Sequence, residues 1–570
     1  MIANAPVVFT GMRKTYYPNI TALSELFNRE TPIPTEEQRS ILHAASTGRN
    51  LVVRAYAGAG KTATAGMIAT ELKRPGYFVV FNRAARRGAE TKMPWGMKAT
   101  TGHALAFNQL VKGRTGYERK LNWTQEQGKG KIPPAFMAQA LQITQSQLPG
   151  ITVGQLMMAV SLTLNEFLIS DQTSLKPDLI PNKAIPPALR IEDDDQRLDD
   201  FKARCLDVAR SAWDRMANEY DPFPITHDGY LKLFHLKEVQ LSAGLWLLDE
   251  YQDTTPVQDA IIRAQEGQKI YIGDPYQQIY AWRGAIDAMQ RPLAEGAQCL
   301  TLSESFRFNE TIAGLANVLL TAQGETVPIV GQPTEFKHLN FNRHHTILVR
   351  NNINMIGVVA EYLLRRQSVY IPGGLQPEAM AKASSALALY RGHHDQITVS
   401  GIRNLGSWEG LKELAHQEHQ NREYADLVTL VERYHRELPA ALEWGQRHWK
   451  EMAHDFGRVT LMTTHKAKGR EWGAVRLSDD LALPDTIIQK LQHGDMLTIQ
   501  EQESVNLLYV AITRAEHGIA LPKSIKKNLA ALHEHQKIPD LIERDGEEAE
   551  REHARVLQRT QAFIEKYGKK

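Results

Sequence analysis

The chain has 570 residues, of which 42% are hydrophobic and 23% are charged, and its formal net charge is only +2. This is the composition of a globular protein long enough for three or four domains, and the charge excludes a molecule that attracts polyanions over its whole surface. Cys205 and Cys299 lie far apart and in no metal-ligand spacing, which argues against a disulfide scaffold or zinc module and for a reducing compartment. We find no run of about 18 apolar residues and no secretory signal, and we expect a cytoplasmic protein.

The first predicted element is a helix that begins after Pro34. Thr35 suits the N-cap position, and Gln38 stands three residues later, where a capping box places Glu or Gln. The apolar spacing of residues 41–45 continues the helix.

A phosphate-binding loop follows a short apolar strand at residues 51–53. Residues 55–64 read Ala-Tyr-Ala-Gly-Ala-Gly-Lys-Thr-Ala-Thr, with Ala55 at the position where the general pattern begins with Gly. The two glycines let backbone N–H groups face phosphate oxygens, Lys61 can reach the β- and γ-phosphates, and Thr62 can ligate Mg²⁺. The nucleotide-binding residues predicted in this loop are Ala57, Gly58, Ala59, Gly60, Lys61, Thr62 and Ala63.

A second strand is predicted over Tyr77–Phe81, whereas residues 108–240 break the alternation of strands and helices and are predicted to be mostly helical. The next apolar strand, residues 245–248, ends in two adjacent carboxylates, Asp249 and Glu250. Two neighbouring carboxylates repel each other without a cation. We therefore interpret Asp249 as a Mg²⁺ ligand and Glu250 as the residue that orients an attacking water.

The remainder of the chain repeats this organisation. Further strands are predicted at Lys269–Gly273, Thr346–Arg350, Val459–Thr463 and Ala474–Leu477. Residues 378–450 are predicted to be helical, with one apolar helical face made by Tyr424, Leu427, Val428, Val431 and Tyr434. Strands that alternate with helices predict an α/β protein with parallel sheets and with ligands at the carboxyl ends of the strands.

Six further motifs occur in a characteristic order. They are Phe81–Ala85, Thr100–His103, Gly273–Ala285, Leu302–Arg307, Thr464–Trp472 and Leu508–Ala515. Together with the phosphate loop and the paired carboxylates, this set resembles the UvrD/Rep family of superfamily 1 DNA helicases over residues 34–517. The segments Thr226–Lys232 and Val369–Gly374 resemble F-box DNA helicases and their bacterial and viral relatives in particular.

The resemblance implies two RecA-like motor domains, 1A and 2A, with ATP between them, each interrupted by a mainly helical insertion, 1B or 2B. The expected bounds are 1–107 and 221–290 for 1A, 108–220 for 1B, 291–375 and 455–540 for 2A, 376–454 for 2B, and 541–570 for a charged helical tail.

The resemblance also implies roles around the nucleotide. Gln38 would read the adenine edge, Phe306 would stack on the adenine where the family often has Tyr, and Glu471 would contact the ribose. Gln277 would sense the γ-phosphate. Arg307 and Arg514 would act as arginine fingers from the second motor domain.

On the nucleic-acid side, single-strand binding needs aromatic platforms and phosphate contacts. The DNA-binding residues predicted from the resembling motifs are Phe81, Asn82, Thr101, His103, Trp282, Arg283 and His465.

We therefore expect an enzyme that uses ATP and Mg²⁺ to move 3′→5′ along single-stranded DNA and to unwind tailed duplex in repair, recombination or replication. The polarity is implied by the resemblance alone, and a bacterial protein of this kind would be associated with the nucleoid. Two alternatives stay open. One is a translocase that strips proteins from single strands with little unwinding, and the other is a nucleotide-gated DNA-binding subunit of a repair or antiviral defence complex.

Overall fold

The computed structural model describes residues 33–533, apart from 129, 187–188, 190–194, 281–283, 285–287, 339–343, 368, 417–421 and 449–458. The tail predicted over 541–570 therefore lies outside the described residues. No helix in the described part of the chain is long and apolar enough to cross a lipid bilayer.

In the described part of the chain, the largest sheet has six strands, all parallel, in the order β3-β2-β4-β5-β1-β6. These strands are Leu51–Ala55 (β1), Gly76–Val79 (β2), Met97–Thr100 (β3), Leu245–Leu248 (β4), Gln268–Gly273 (β5) and Gln298–Leu302 (β6). The central strands β4 and β5 are buried throughout, as expected for a parallel sheet covered on both faces.

A second parallel sheet has the order β10-β11-β9-β12-β13, and a parallel pair, β7 and β8, lies beside it. These strands are Glu304–Asn309 (β7), Val330–Gln332 (β8), His345–Val349 (β9), Val369–Tyr370 (β10), Val459–Thr463 (β11), Trp472–Leu477 (β12) and Ala515–Ala520 (β13). We call the first sheet with its packed helices the first core, and the second sheet with β7, β8 and their helices the second core. The predicted α/β class with parallel sheets is confirmed.

The helices before residue 300 belong to the first core. They are Glu36–Ser46 (α1), Lys61–Leu72 (α2), Arg83–Glu90 (α3), Gly102–Leu110 (α4), Thr115–Glu126 (α5), Pro134–Ala140 (α6), Val153–Ile169 (α7), Asp195–Ala217 (α8), His227–Leu236 (α9), Pro256–Ala264 (α10) and Gln290–Ala294 (α11). Short 3-10 helices lie at Pro177–Leu179, Asn182–Ala184, Tyr251–Asp253 and Pro275–Gln277.

The later helices belong to the second core. They are Glu310–Ala322 (α12), Asn352–Leu364 (α13), Pro377–Tyr390 (α14), Ser400–Arg403 (α15), Trp408–His416 (α16), Arg422–Tyr434 (α17), Leu438–His448 (α18), Thr464–Ala467 (α19), Asp485–His493 (α20), Ile499–Ile512 (α21) and Lys523–Leu532 (α22). Further 3-10 helices lie at His394–Gln396 and Asp479–Leu481.

Both helical insertions pack directly onto a sheet. Trp246 and Tyr271 of the first sheet lie in one apolar core with Phe167 and Phe201 of the first insertion. In the same way, Ile347 and Leu461 of the second sheet share a core with Leu387 and Leu427 of the second insertion. Each insertion therefore extends the apolar core that covers one face of its sheet. The predicted apolar face of α17 packs inward as expected.

Two predicted boundaries are wrong. The strand expected over Tyr77–Phe81 ends at Val79, because Asn82 caps α3 by accepting a hydrogen bond from the Ala85 N–H at 2.8 Å and so turns the chain. The end of the first motor domain, expected at residue 290, comes too early, since β6 pairs in parallel with β1. The chain passes to the second core only after this edge strand.

Candidate nucleotide site and nucleic-acid interface

The phosphate loop lies at the carboxyl edge of the first sheet and is covered by the start of the second core. Gly58 and Gly60 have φ of +78° and +77°, a region that favours glycine. A Cβ on Gly58 would lie 2.4 Å from Ser305 Oγ and 2.7 Å from Arg307 Cβ. The Phe306 N–H donates to the Gly58 carbonyl at 3.0 Å. The loop is therefore in direct contact with both cores and has no space for a side chain at residue 58.

Lys61 is held at the start of α2. Its ammonium group donates to the Ala55 carbonyl at 3.3 Å and lies 3.7 Å from Glu250 Oε1. Thr62 follows it in the first turn of the same helix. The loop thus brings a cation to Glu250 and carries a hydroxyl in the next residue, which are the groups that phosphate and Mg²⁺ require.

The paired carboxylates lie just beyond the buried strand β4. Glu250 has φ of +52°, an uncommon backbone conformation for a residue with a side chain. The Gln252 amide donates to Glu250 Oε2 at 2.5 Å, and the Glu250 N–H donates to Asp249 Oδ1 at 3.1 Å. The strained turn separates the two carboxyl groups and directs them to different partners.

The electrostatic environments of these carboxyl groups differ. Burial and the charge of Glu250 raise the pKa of Asp249 above its ordinary value. Burial would also raise the pKa of Glu250, but Lys61 and Lys468 outweigh it and lower that pKa below its ordinary value. A divalent cation beside Asp249 would offset the crowding of negative charge, so the Thr62 and Asp249 oxygens fit Mg²⁺.

The second core contributes two arginines to the same cleft. Arg307 Nε donates to Glu471 Oε2 at 2.6 Å, and its Nη1 donates to the Thr513 carbonyl at 3.1 Å. Arg514 is 1% exposed. Burial, together with the neighbouring charge of Arg307, lowers its pKa to about 9, so it stays charged at neutral pH.

Gln277 connects these arginines with the first core. Its amide donates to Asp274 Oδ2 at 2.6 Å, and its Oε1 lies 3.4 Å from Arg514 Nη2, which donates to it. The predicted γ-phosphate sensor and one predicted arginine finger are therefore in contact across the two cores.

Phe306 and Gln38 lie beside Gly60. An ideal Cβ on Gly60 would be 3.5 Å from the Phe306 ring and 3.6 Å from Gln38 Nε2. Phe306 is 51% exposed, so one face of its ring is free to stack. Gln38 accepts from the Thr35 N–H at 3.1 Å, which confirms the capping box, and donates to Thr64 Oγ1 at 3.1 Å. The structure thus brings the predicted adenine-binding residues together next to the loop.

Lys468 was not singled out from the sequence. It follows β11 in the second core, and its ammonium group donates to Asp253 and to the Gln277 carbonyl, the latter at 2.5 Å. It also lies 3.9 Å from Glu250 Oε2. A lysine in the Thr464–Trp472 motif was the available signal, but only the docking of the cores shows that it faces the carboxylates.

The predicted DNA contacts of the first core lie at the carboxyl ends of β2 and β3. Asn82 caps α3, and Thr101 caps α4 by accepting from the Ala104 N–H at 3.2 Å, so both side-chain oxygens have a local structural partner. His103 Nε2 lies 3.0 Å from Asp228 Oδ1. Phe81 is 38% exposed.

Tyr280 is a second residue that sequence reasoning missed. Its ring stacks on Phe81, with centroids 5.2 Å apart and 18° between the planes. Its hydroxyl donates to the His465 carbonyl at 3.3 Å, and its centroid lies 6.1 Å from the His465 ring. Tyr280 therefore joins predicted DNA contacts of both cores. Its place in the aromatic segment Gly273–Ala285 was the available signal.

Trp282 and Arg283, the remaining predicted DNA contacts, lie outside the described residues. A cavity at the same edge of the first sheet is lined by Phe81 and His103 and also by Asp249 and Glu250. The predicted DNA contacts of the first core are thus neighbours of the predicted catalytic carboxylates.

Comparison with known proteins agrees with this arrangement. A family model described as the UvrD/REP helicase N-terminal domain matches residues 229–291, and one described as the UvrD-like helicase C-terminal domain matches residues 373–524. These matches include the carboxylates of the first core and much of the second sheet.

Similar individual proteins are also helicases by name. F-box DNA helicase protein 1 of Schizosaccharomyces pombe is 26% identical over an alignment of 530 residues, which covers 86% of this chain and 58% of that protein. F-box DNA helicase 1 of Gallus gallus is 26% identical over an alignment of 540 residues, which covers 89% of this chain and 50% of that protein. DNA helicase II of Escherichia coli is 39% identical over 80 residues, which are 13% of this chain and 11% of that protein.

The chain thus spans about half the length of the F-box DNA helicases that it matches. The motifs, the two parallel sheets and the N- and C-terminal family models nevertheless agree, and the chain has UvrD-like helicase N-terminal and C-terminal domains over the matched residues.

Proposed function

We propose that this chain is an ATP-dependent motor that moves 3′→5′ along single-stranded DNA and unwinds duplex DNA that has a single-stranded tail. The observation that carries the proposal is that side chains of the two cores meet in one cleft, in an ion pair and in a hydrogen bond. Glu250 of the first core lies beside Lys468 of the second, and Gln277 of the first core contacts Arg514 of the second. The direction of movement rests on the resemblance to UvrD/Rep helicases alone.

The cleft supports hydrolysis of a nucleoside triphosphate. The loop from Gly58 to Lys61 would hold the phosphates, and Thr62 and Asp249 would hold Mg²⁺, which neutralises phosphate charge when bound. Glu250, kept ionised by Lys61 and Lys468, is suited to orient a water and to accept its proton.

The arginines of the second core complete this site. Arg307 and Arg514 present planar guanidinium groups that suit the charge developing on the transferred phosphoryl group. Because they come from the opposite core, hydrolysis requires the two cores to be closed.

The nucleic-acid side of the proposal rests on aromatic residues. Phe81 and Tyr280 form a stacked pair that His465 joins from the second core, and each is of a type that stacks on bases. Relative movement of the cores would change the spacing of these contacts along a strand. The cavity shared by Phe81, His103 and the two carboxylates gives a short physical connection between the strand and the nucleotide.

ATP hydrolysis should be measured in parallel with single-stranded DNA, duplex DNA and RNA, with Glu250→Gln as the matched control. We expect stimulation by single-stranded DNA and loss of turnover by orders of magnitude in the variant, with nucleotide binding retained. Unwinding of 3′-tailed and 5′-tailed duplexes then tests polarity. Hydrolysis without unwinding would favour the protein-stripping translocase. Absence of hydrolysis with every nucleic acid, or near-normal turnover in the variant, would contradict the proposal.

A further inference from the structure

A buried carboxylate of the second core, Glu325, receives side chains from the first core. Its side chain is 6% exposed, and Oε1 accepts hydrogen bonds from the backbone N–H groups of Thr326 at 2.8 Å and Val327 at 3.1 Å. The Tyr276 hydroxyl donates to Oε2 at 3.0 Å, and Arg54 Nη1 lies 3.9 Å from the same oxygen. The carboxylate is thus oriented by its own backbone and presents one oxygen to the first core.

Tyr56 completes the surroundings of this carboxylate. Its ring centroid lies 6.3 Å from that of Tyr276, and its hydroxyl is buried beside Glu325 without a hydrogen-bond partner of ordinary geometry among the described residues. Burial would raise the pKa of Glu325, but the Val327 N–H and the nearby Tyr56 hydroxyl, with the other donors, outweigh it and lower the pKa. Glu325 is therefore ionised at neutral pH.

The residues that Glu325 contacts adjoin the two parts of the nucleotide site. Tyr56 directly precedes the loop residue Ala57. Tyr276 is the central residue of the 3-10 turn Pro275–Gln277, whose last residue contacts Arg514. None of the residues that contact Glu325 is among those predicted to bind the phosphates, so Glu325 would act on the site only through its neighbours.

We propose that Glu325 is a positioning residue that, through Tyr276, ties the turn carrying Gln277 to the second core and so sets Gln277 opposite Arg514. This inference rests on the proposed motor function, because its consequence is the rate of hydrolysis. A carboxylate already oriented by two backbone N–H groups is a rigid acceptor. The Tyr276 hydroxyl therefore gives the turn a contact with the second core in addition to those that Lys468 and Arg514 make with Gln277.

The test is a double-mutant cycle of Tyr276→Phe and Glu325→Gln on DNA-stimulated ATP hydrolysis. Tyr276→Phe removes only a hydroxyl, and a hydrogen bond to a charged acceptor of this kind corresponds to about a tenfold change or more. We expect each single variant to lower kcat about tenfold with KM for ATP changed less than about twofold, and the double variant to be no slower than the slower single variant.

Glu295→Gln is the matched control, since Glu295 is 52% exposed and pairs with Arg263 at 2.5 Å on the surface. It should leave kcat and KM unchanged. Wild-type kcat in Tyr276→Phe, or a rise in KM with kcat unchanged, would overturn the positioning role.

Thermal unfolding of the wild type, the two single variants and the double variant tests the contact between Tyr276 and Glu325 independently of ATP hydrolysis. If the wild type shows no DNA-stimulated hydrolysis, the proposed function is wrong. The unfolding midpoints then still show whether Tyr276 and Glu325 share a stabilising contact. The two substitutions should lower the midpoint non-additively, because they remove one shared contact. Additive shifts of the midpoint would show that Tyr276 and Glu325 act separately and would refute the proposal that Glu325 positions the turn through Tyr276.

Discussion

Substitution of Gly58 by Ala tests whether the second core closes directly onto the phosphate loop. Gly60 supplies a matched control, because both glycines have nearly the same φ, +78° and +77°. A Cβ at Gly58 would lie 2.4 Å from Ser305 Oγ and 2.7 Å from Arg307 Cβ, whereas a Cβ at Gly60 meets nothing closer than 3.5 Å. Both variants therefore have the same backbone strain, but only Gly58→Ala adds a steric collision with the second core.

The magnitude follows from these distances. A left-handed conformation costs about 1–2 kcal/mol for a residue with a side chain, and this cost applies to both variants. Overpacking adds about 1–3 kcal/mol, and it applies only to Gly58→Ala. Because the collision is with the second core, the added cost opposes closure of the cleft. It should lower kcat/KM for ATP about five- to 150-fold below that of Gly60→Ala.

Steady-state ATP hydrolysis with saturating single-stranded DNA measures this difference. Adding Ser305→Gly to Gly58→Ala should recover part of the loss, since Ser305 Oγ is the nearest colliding atom and Arg307 Cβ remains. Equal kcat/KM in the two alanine variants would refute the reasoning, because the contact between Gly58 and the second core would then be absent from the active conformation.

The remaining predictions concern the other residues of the cleft. Arg307→Ala should slow hydrolysis by ~10³-fold or more while nucleotide titration shows nearly unchanged affinity, since the charge that it stabilises develops in the transition state; wild-type turnover would exclude an arginine finger. Phe306→Ala should raise KM for ATP without changing single-strand affinity in fluorescence anisotropy, and a weaker DNA complex would move this ring to the DNA site. Lys468→Met should lower the thermal unfolding midpoint because it leaves Asp253, which is 2% exposed, without its cation. Breaking a buried ion pair in this way lowers the free energy of unfolding by about 3–5 kcal/mol. Adding Asp253→Asn should restore most of the midpoint, and no recovery would indicate that the lysine acts through other contacts.

The local elements of the nucleotide site could be predicted from the sequence. The capping box of Thr35 and Gln38 and the strand Val459–Thr463 occur where they were predicted. The phosphate-loop pattern also matches a strand, a loop with two left-handed glycines and a helix. These features are readable because their hydrogen bonds and backbone conformations involve residues only a few positions apart.

The predictions that failed concerned where a strand ends and which sheet a strand joins. Phe81 was predicted at the end of a strand, but the cap formed by Asn82 ends β2 at Val79 and exposes the ring. Residues 298–302 were assigned to the second motor domain, although pairing with β1 makes them the edge of the first sheet. Neither propensity nor apolar spacing states which strand a segment will pair with.

The sequence by itself determined which chemical groups this protein has for nucleotide and DNA, and their order along the chain. Only the tertiary structure decided which of them meet. Lys468 lies beside Glu250, and Tyr276 bonds to Glu325, although 218 and 49 positions separate these pairs in the sequence. Such contacts depend on the order of strands in two sheets and on how the sheets dock, which are set by the packing of the whole apolar core rather than by any segment alone.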